Sequence, residues 1–175
     1  MLTIGLLLLG VMLVLLWANC SRSFGFWLAD RVIRSRFPDV QQISPAELHA
    51  WLEDANRARP LLLDVRTRAE YDVSHLPGAE QVNPEATPEE VKARFGLNRA
   101  LVVYCSMGYR SSALAARLRH AGFEAVYNLR GSIFAWANQG RILEAHGQPA
   151  DRVHPYNAFG GAFLDRAVRG RLSEK

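Results

Sequence analysis

The pattern of hydrophobic and polar positions divides the chain into an apolar N-terminal segment and a longer part in which helical and strand patterns alternate. Residues 1–21 carry no charged side chain. A helix rises about 1.5 Å per residue, so a segment of this length covers about 30 Å, the thickness of the hydrocarbon core of a bilayer. The pattern therefore predicts one transmembrane helix at residues 1–21.

The polar flanks of this segment predict its orientation. Residues 22–40 are predicted to form a basic juxtamembrane linker, and no Lys or Arg precedes the apolar segment. Because positively charged flanks stay on the cytoplasmic side, we expect a single-pass protein of the inner (cytoplasmic) membrane with its folded domain on the cytoplasmic side. A cleaved signal peptide is the alternative, but the segment lacks the positive start and the small-residue cleavage site of such peptides.

Helix and strand signals alternate over residues 41–145. Three capping boxes, in which Ser or Thr is followed three residues later by Glu, predict helices that begin after Ser44, Thr67 and Thr87. Further elements are predicted as strands at residues 61–65, 79–83, 100–104 and 123–128, and as helices at residues 111–121 and 131–138. Such alternation predicts an α/β domain with a parallel sheet covered by helices on both faces.

The C-terminal tail, residues 146–175, is predicted separately from this domain. Its first part contains Gly and Pro, and apolar residues then follow at roughly helical spacing: Phe163, Leu164, Val168 and Leu172. We expect a helix that packs on the domain rather than a binding device.

Composition narrows the range of partners. The chain has 21 Lys and Arg against 17 Asp and Glu, a formal net charge of +4. This mild excess suits anionic lipid headgroups or small anionic substrates, and no motif for nucleic-acid binding accompanies it. Cys20 and Cys105 are far apart and do not predict a disulfide framework. The histidines lack the spacing of a metal site, so neither a metal nor a cofactor is expected.

The segment around Cys105 carries the clearest chemical signal. The strand at 100–104 ends there, a short loop with Gly108 and Arg110 follows, and an amphipathic helix begins at about Ser111. In α/β sheets, ligands bind at the carboxyl ends of the strands. A tight loop at a helix start directs N–H groups and the helix dipole at a thiolate, which lowers its pKa and makes it nucleophilic. A buried structural cysteine is the alternative, but it would not need such a loop.

The sequence of this loop resembles the active-site loop of the rhodanese family. Residues 105–111, Cys-Ser-Met-Gly-Tyr-Arg-Ser, are similar to the family's C-x-x-G-x-R-S motif. Other segments resemble family motifs in the family's order: D-V-R at 64–66, an acidic–aromatic pair at 70–71, H-L-P-G-A at 75–79, and N-L-R-G at 128–131 with Trp136. The resemblance covers residues 41–145. Ser74 departs from it, since the family usually has Gly before the histidine.

The resemblance implies a rhodanese-type sulfurtransferase that works in two steps. The Cys105 thiolate takes a sulfane sulfur from a small donor and becomes a persulfide, and a thiophilic acceptor, such as cyanide, a thiol or a partner protein, then removes the sulfur. Backbone N–H groups of the loop would stabilise the terminal sulfur, and Arg110 would brace the loop or attract an anionic donor. The loop residues are Ser106, Met107, Gly108, Tyr109 and Arg110. Loops built for thiosulfate are often more basic, which leaves other donors open.

Three more residues are candidates for the site. Asp64 and Arg66 lie near the carboxyl end of a predicted strand, where they either line the site or form a structural ion pair. Ser111, the last residue of the loop motif, has the same two options. His75 is expected to make a hydrogen bond in a turn rather than to act as a base.

Two other functions compete with the sulfurtransferase. A Cys-dependent phosphatase uses a loop of Cys, five residues and Arg, whereas four residues separate Cys105 from Arg110 and no general-acid Asp is evident. The shorter loop fits one sulfur atom better than a phosphate. A membrane-tethered, non-catalytic adaptor with a rhodanese fold is the other alternative. Alkylation of Cys105 much faster than Cys20 would favour an enzyme over an adaptor.

Overall fold

The computed structural model describes residues 21–172. The predicted transmembrane segment, with Cys20, lies outside the described residues except for residue 21. Within the described part of the chain, no helix combines the length and the apolar character that a membrane crossing requires. The segment predicted as a linker is instead helical up to residue 36, and we call residues 21–36 α1. This helix packs on the domain through Ile33, which is 5% exposed, and through Phe26.

Five parallel strands form the central sheet. They are β1 (Gln41–Ile43), β2 (Leu61–Asp64), β3 (Glu80–Gln81), β4 (Leu101–Tyr104) and β5 (Val126–Leu129). Their order across the sheet is β1-β5-β4-β2-β3, and every neighbouring pair is parallel. The three central strands are short apolar runs, which is typical of parallel sheets buried on both faces. β1 is missing from the predicted strands because only Ile43 of its three residues is apolar.

Five further helices accompany the sheet, of which the three after the capping boxes begin where the sequence predicts. They are α2 (Pro45–Glu53), α3 (Arg68–Val73), α4 (Pro88–Phe95), α5 (Tyr109–His120) and α6 (Ser132–Asn138). All three capping boxes form, since each Ser or Thr side chain accepts the N3 N–H and each Glu accepts the N-cap N–H. These reciprocal bonds satisfy backbone groups that a helix start otherwise leaves unpaired. α5 begins two residues earlier than predicted, directly after Gly108.

Side chains of β4 alternate between two core layers, which places helices on both faces of the sheet. Leu101 and Val103 belong to the layer that contains residues of α4 and α5. Val102 and Tyr104 belong to the layer that contains residues of α2 and α6. The predicted α/β architecture is therefore confirmed for the described residues.

The C-terminal tail is part of the same domain, but its predicted helix is absent from the described residues. The tail begins inside an antiparallel hairpin of β6 (Leu143–Ala145) and β7 (Gln148–Ala150), and it later forms a short 3-10 helix, Gly160–Phe163. Leu164 and Val153 are fully buried in the layer with α2 and α6. Of the four residues whose spacing predicted the helix, Leu164 is buried, Phe163 and Val168 are partly buried, and Leu172 is 51% exposed. The tail packs these side chains in an irregular conformation.

Candidate active site

Cys105 directly follows strand β4 and lies at the carboxyl edge of the sheet. The start of α6 holds the backbone of this residue through hydrogen bonds. The Cys105 N–H donates to Ser132 Oγ at 3.1 Å, and the Cys105 carbonyl accepts from the N–H of Ile133 at 3.2 Å. The Ser106 carbonyl accepts from the N–H of Phe134 at 3.2 Å. No local sequence signal connects α6 with the cysteine loop, so this support was not predicted. It holds the loop at two successive residues.

Gly108 allows the loop to turn back towards the thiol. Its φ is +118°, a region that L side chains rarely adopt, and its N–H donates to Cys105 Sγ at 3.1 Å. A Cβ at this position would lie 3.2 Å from Ile33 Cδ1 and 3.3 Å from Asn128 Nδ2. The glycine predicted from the motif is therefore required both by the backbone conformation and by the close packing of α1 and β5 around it.

The environment of Cys105 favours its thiolate. The residue is only 2% exposed, and burial raises the pKa of the thiol. The charge of Arg110, hydrogen bonds from Ser111 and the N–H of Gly108 act in the opposite direction and leave the pKa below its ordinary value. The thiolate is the nucleophilic form of cysteine, so this arrangement favours the reactive form of the Cys105 side chain at the carboxyl edge of the sheet.

Arg110 is held in place by Glu70, a member of a capping box and of the acidic–aromatic pair at 70–71, whose contact with Arg110 was not predicted. Arg110 Nη1 donates to Glu70 Oε2 at 3.1 Å and Nη2 donates to Oε1 at 2.9 Å. The Ser106 hydroxyl donates to the same carboxylate at 3.1 Å. Burial raises the pKa of Glu70, but Arg110 and the Thr67 N–H outweigh it and lower the pKa to about 2. The Glu70 carboxylate is therefore ionised, and its hydrogen bonds link α3 to the cysteine loop.

Asp64 and Arg66 form a structural ion pair away from the thiol. Both side chains are fully buried, with 2.6 Å between Arg66 Nη2 and Asp64 Oδ2. The same nitrogen donates to the carbonyl of Ser74 at 2.5 Å, which ties the end of β2 to the end of α3. Neither residue lines the pocket beside Cys105. Of the two roles left open by the sequence, the geometry supports the structural one.

Ser111 connects the start of α5 to β5. Its hydroxyl donates to Asn128 Oδ1 at 2.6 Å, and Asn128 Nδ2 donates to Gln42 Oε1 at 2.7 Å. Ser111 is fully buried and also lowers the pKa of Cys105.

His75 contacts the carbonyl of Tyr71 through Nδ1 at 3.0 Å, as expected of a residue that stabilises a turn.

A pocket of about 300 Å³ opens over Cys105. The loop residues Ser106, Met107, Tyr109 and Arg110 line it together with Cys105. Its other lining residues were not predicted: Phe134, Tyr156, Asn157, Phe159 and Gly160. Four of these belong to the tail, whose Gly- and Pro-containing sequence offers no periodicity that would place it over the loop. Asp and Glu are absent from this lining, and residues 21–172 hold no cluster of three His, Cys, Asp or Glu side chains suited to a metal ion.

Residues 44–139 match the family model of the Rhodanese-like domain. The chain belongs to the rhodanese family. This confirms the family indicated by the loop motif, and the matched residues include the whole segment from the first capping box to the end of α6.

Curated relatives of this rhodanese-like domain include proteins named as sulfurtransferases. A sulfurtransferase from Allochromatium vinosum is 36% identical over 106 residues, which are 61% of this chain and 96% of that protein. The probable adenylyltransferase/sulfurtransferase MoeZ of Mycobacterium tuberculosis is 36% identical over 98 residues, 55% of this chain, but the match spans only 24% of MoeZ. A tRNA uridine(34) hydroxylase from Escherichia fergusonii is 25% identical over an alignment 134 positions long, which covers 66% of this chain and 37% of that protein. The chain thus spans only 24% of MoeZ and 37% of the hydroxylase.

Solved structures with the same fold include a rhodanese-like domain protein. A rhodanese-like domain protein from Staphylococcus aureus superposes with a TM-score of 0.54 at 25% identity, covering 62% of this chain and all of that one. The protein SSP1007 from Staphylococcus saprophyticus gives a TM-score of 0.52 at 30% identity, covering 60% of this chain and 99% of that one. The comparisons therefore support membership of the general sulfurtransferase family.

Proposed function

We propose that this rhodanese-like domain is a sulfurtransferase that carries a sulfane sulfur as a persulfide on Cys105. The observation that carries the proposal is the placement of the Cys105 thiol, which receives the Gly108 N–H at 3.1 Å and lies at a pocket that a small donor can enter. The likeness to the Allochromatium vinosum sulfurtransferase, of which the chain covers 96%, supports it.

In the first step, the Cys105 thiolate attacks the outer sulfur of the donor. A bond forms between Sγ and that sulfur, and the donor's remaining group leaves with the electron pair of the broken bond. The product is a persulfide whose terminal sulfur carries the negative charge. Since the first turn of a helix leaves N–H groups without intrahelical partners, the start of α5 would stabilise this charge, and Arg110 would add its positive field.

In the second step, a thiophilic acceptor attacks the terminal sulfur. The sulfur–sulfur bond breaks, and its electron pair returns to Cys105, which regenerates the thiolate. The same groups that lower the pKa of Cys105 make it a good leaving group, because a stabilised thiolate leaves readily. One site therefore serves both steps without a cofactor.

Intact-mass spectrometry of the full chain tests this proposal. After incubation with thiosulfate and, separately, with an organic persulfide, we expect a gain of one sulfur atom that cyanide removes. Cys105→Ser should abolish the gain, and Cys20, which remains in that variant, reports any unspecific reaction. If no donor adds sulfur and Cys105 is alkylated no faster than Cys20, the sulfurtransferase proposal is wrong and the non-catalytic adaptor is favoured.

A further inference from the structure

The pocket over Cys105 is completed by a segment outside the matched family domain. The family match ends at residue 139, whereas four of the ten lining residues lie beyond it: Tyr156, Asn157, Phe159 and Gly160. The matched domain thus supplies the reactive loop, and these four residues of the tail form the opposite side of the pocket, which we call the wall. Such a wall decides which donors can reach the thiol.

The tail is fixed over the loop by contacts at both ends of the wall. Asn138 Nδ2 donates to the Phe163 carbonyl at 2.7 Å, and the N–H of Asp165 donates to Asn138 Oδ1 at 2.9 Å. At the other end, the N–H of Val153 donates to the Val168 carbonyl at 2.7 Å. These bonds connect the tail to the end of α6 and to itself, so the wall has a defined position.

The aromatic side chains of the wall face the reactive loop. The Tyr156 ring lies over the Arg110 guanidinium, with 4.9 Å between its centroid and Cζ. Tyr156 has a φ of +66°, and its N–H donates to His154 Nδ1 at 3.1 Å, which holds the residue in this turn. Phe159 lies further along the wall and is 75% exposed. An exposed phenylalanine at the edge of a pocket offers a contact for an apolar ligand.

The charge of the pocket argues against an inorganic dianion as the preferred donor. Arg110 is the charged residue among those described in the lining, and its guanidinium is already paired with both oxygens of Glu70. A dianion that enters the pocket would lose its hydration without gaining an unpaired cation from the lining. An apolar body would instead bury its surface against Met107, Phe134 and Phe159, a gain that increases with the area buried.

We propose that the pocket selects a sulfur donor whose leaving group is an organic, aromatic body, with Tyr156 and Phe159 as the residues that determine this specificity. The inference rests on the proposed sulfurtransferase function. For an arenethiosulfonate donor, a bond forms between Cys105 Sγ and the outer sulfur. The bond between that sulfur and the sulfonyl sulfur breaks, and its electron pair leaves with the arenesulfinate. No oxidant, reductant or proton is consumed.

The test compares three donors on the full chain: benzenethiosulfonate, methanethiosulfonate and thiosulfate. For each donor, the second-order rate constant of persulfide formation at Cys105 is divided by the rate constant of the same donor with free cysteine. This division corrects for differences in intrinsic reactivity between the donors. We expect this normalised value for benzenethiosulfonate to exceed that for methanethiosulfonate by about tenfold or more. Phe159→Ala and Tyr156→Ala should each reduce this ratio between benzenethiosulfonate and methanethiosulfonate several-fold. Phe24→Ala, which removes an aromatic side chain of α1 that does not line the pocket, should preserve it.

The possible outcomes separate this inference from the function on which it rests. If all three donors load Cys105 but the normalised ratio is near one, the specificity is refuted and the sulfurtransferase stands. If Phe159→Ala and Tyr156→Ala slow every donor equally, the wall has only a structural role and the assignment of these two residues is refuted. If none of the donors loads Cys105, the proposed function itself fails.

Discussion

Glu70 and Arg110, 40 residues apart in the chain, form a two-point ion pair behind the reactive loop, with nitrogen–oxygen distances of 2.9 and 3.1 Å. Glu70 also completes the capping box of α3, since Oε2 accepts the Thr67 N–H at 3.0 Å. A single carboxylate thus connects the start of a helix to the loop that carries Cys105. Its ionisation should therefore matter both for stability and for the position of Arg110.

We expect the stability of the chain to fall with pH through the protonation of Glu70. The pKa of this carboxyl is about 2 in the folded chain and 4.5 without its partners, so its contribution is complete above the higher value and is lost as the pH falls towards the lower. The shift corresponds to about 3 kcal/mol. The free energy of unfolding, measured with urea between neutral and acidic pH, should fall less steeply with pH for Glu70→Gln than for the wild type. The pKa of Glu47 is also lowered, mainly by its hydrogen bonds with Ser44, but this exposed carboxylate has no such ion pair, so Glu47→Gln should change the slope less than Glu70→Gln. Equal slopes in wild type and Glu70→Gln would contradict the prediction.

Removal of the charge of Arg110 should raise the pKa of Cys105. Arg110 is the group whose charge most strongly opposes the effect of burial on this thiol. In Arg110→Gln, we expect the midpoint of the pH–rate profile for alkylation of Cys105 to move upwards. Arg110→Lys keeps the charge and should recover part of the shift. Cys20 in the same molecule serves as the reference, and an unchanged midpoint would show that the guanidinium does not act on the thiol.

Gly108→Ala should impair both the stability and the reactivity of the loop. The left-handed backbone alone costs about 1–3 kcal/mol for a residue with a side chain, and the added Cβ lies close to Ile33 and Asn128. Gly122→Ala is the matched control, because Gly122 has a φ of +91° and no heavy atom within 4 Å of an added Cβ. Both variants should lower the urea midpoint, but only Gly108→Ala should slow sulfur loading of Cys105. Equal rates of sulfur loading in Gly108→Ala and Gly122→Ala would show that the turn at Gly108 is not needed for the chemistry.

Asp64→Asn distinguishes a structural from a site-lining role for the buried ion pair. Loss of the carboxylate leaves the fully buried Arg66 without its counter-ion, which typically costs about 3–5 kcal/mol. We expect a large fall in the free energy of unfolding and, at a temperature where the variant is folded, a KM for the donor close to the wild-type value. A raised KM with unchanged stability would assign Asp64 to the site instead.

Local sequence signals predicted the elements and the reactive loop because their causes are local. The capping boxes at Ser44, Thr67 and Thr87 contain both partners of each reciprocal hydrogen bond within four residues. The loop from Cys105 to Arg110 likewise carries its glycine and its arginine within a few positions of the thiol. Such signals can be identified without knowledge of the tertiary structure.

The parts that could not be predicted depend on contacts between distant segments. Glu70 meets Arg110 across 40 residues, and Tyr156 and Phe159 reach the loop from a tail without regular secondary structure. In that tail, the apolar spacing that predicted a helix is compatible with other conformations, and the structure buries Leu164 and Val153 through an irregular path. Periodicity shows which side chains need burial and leaves open the backbone that achieves it.

The two edges of the sheet have a consequence for association between molecules. β1 has three residues and β3 has two, and four of these five are Gln or Glu. Arg94 further covers the β3 edge, with its guanidinium donating to the Gln81 carbonyl at 3.0 Å and pairing with Glu80. Short, polar edges offer little backbone for an additional strand. The buried apolar runs at residues 61–63 and 101–104 belong to inner strands of the sheet, so in the folded chain no second molecule can add a strand to them.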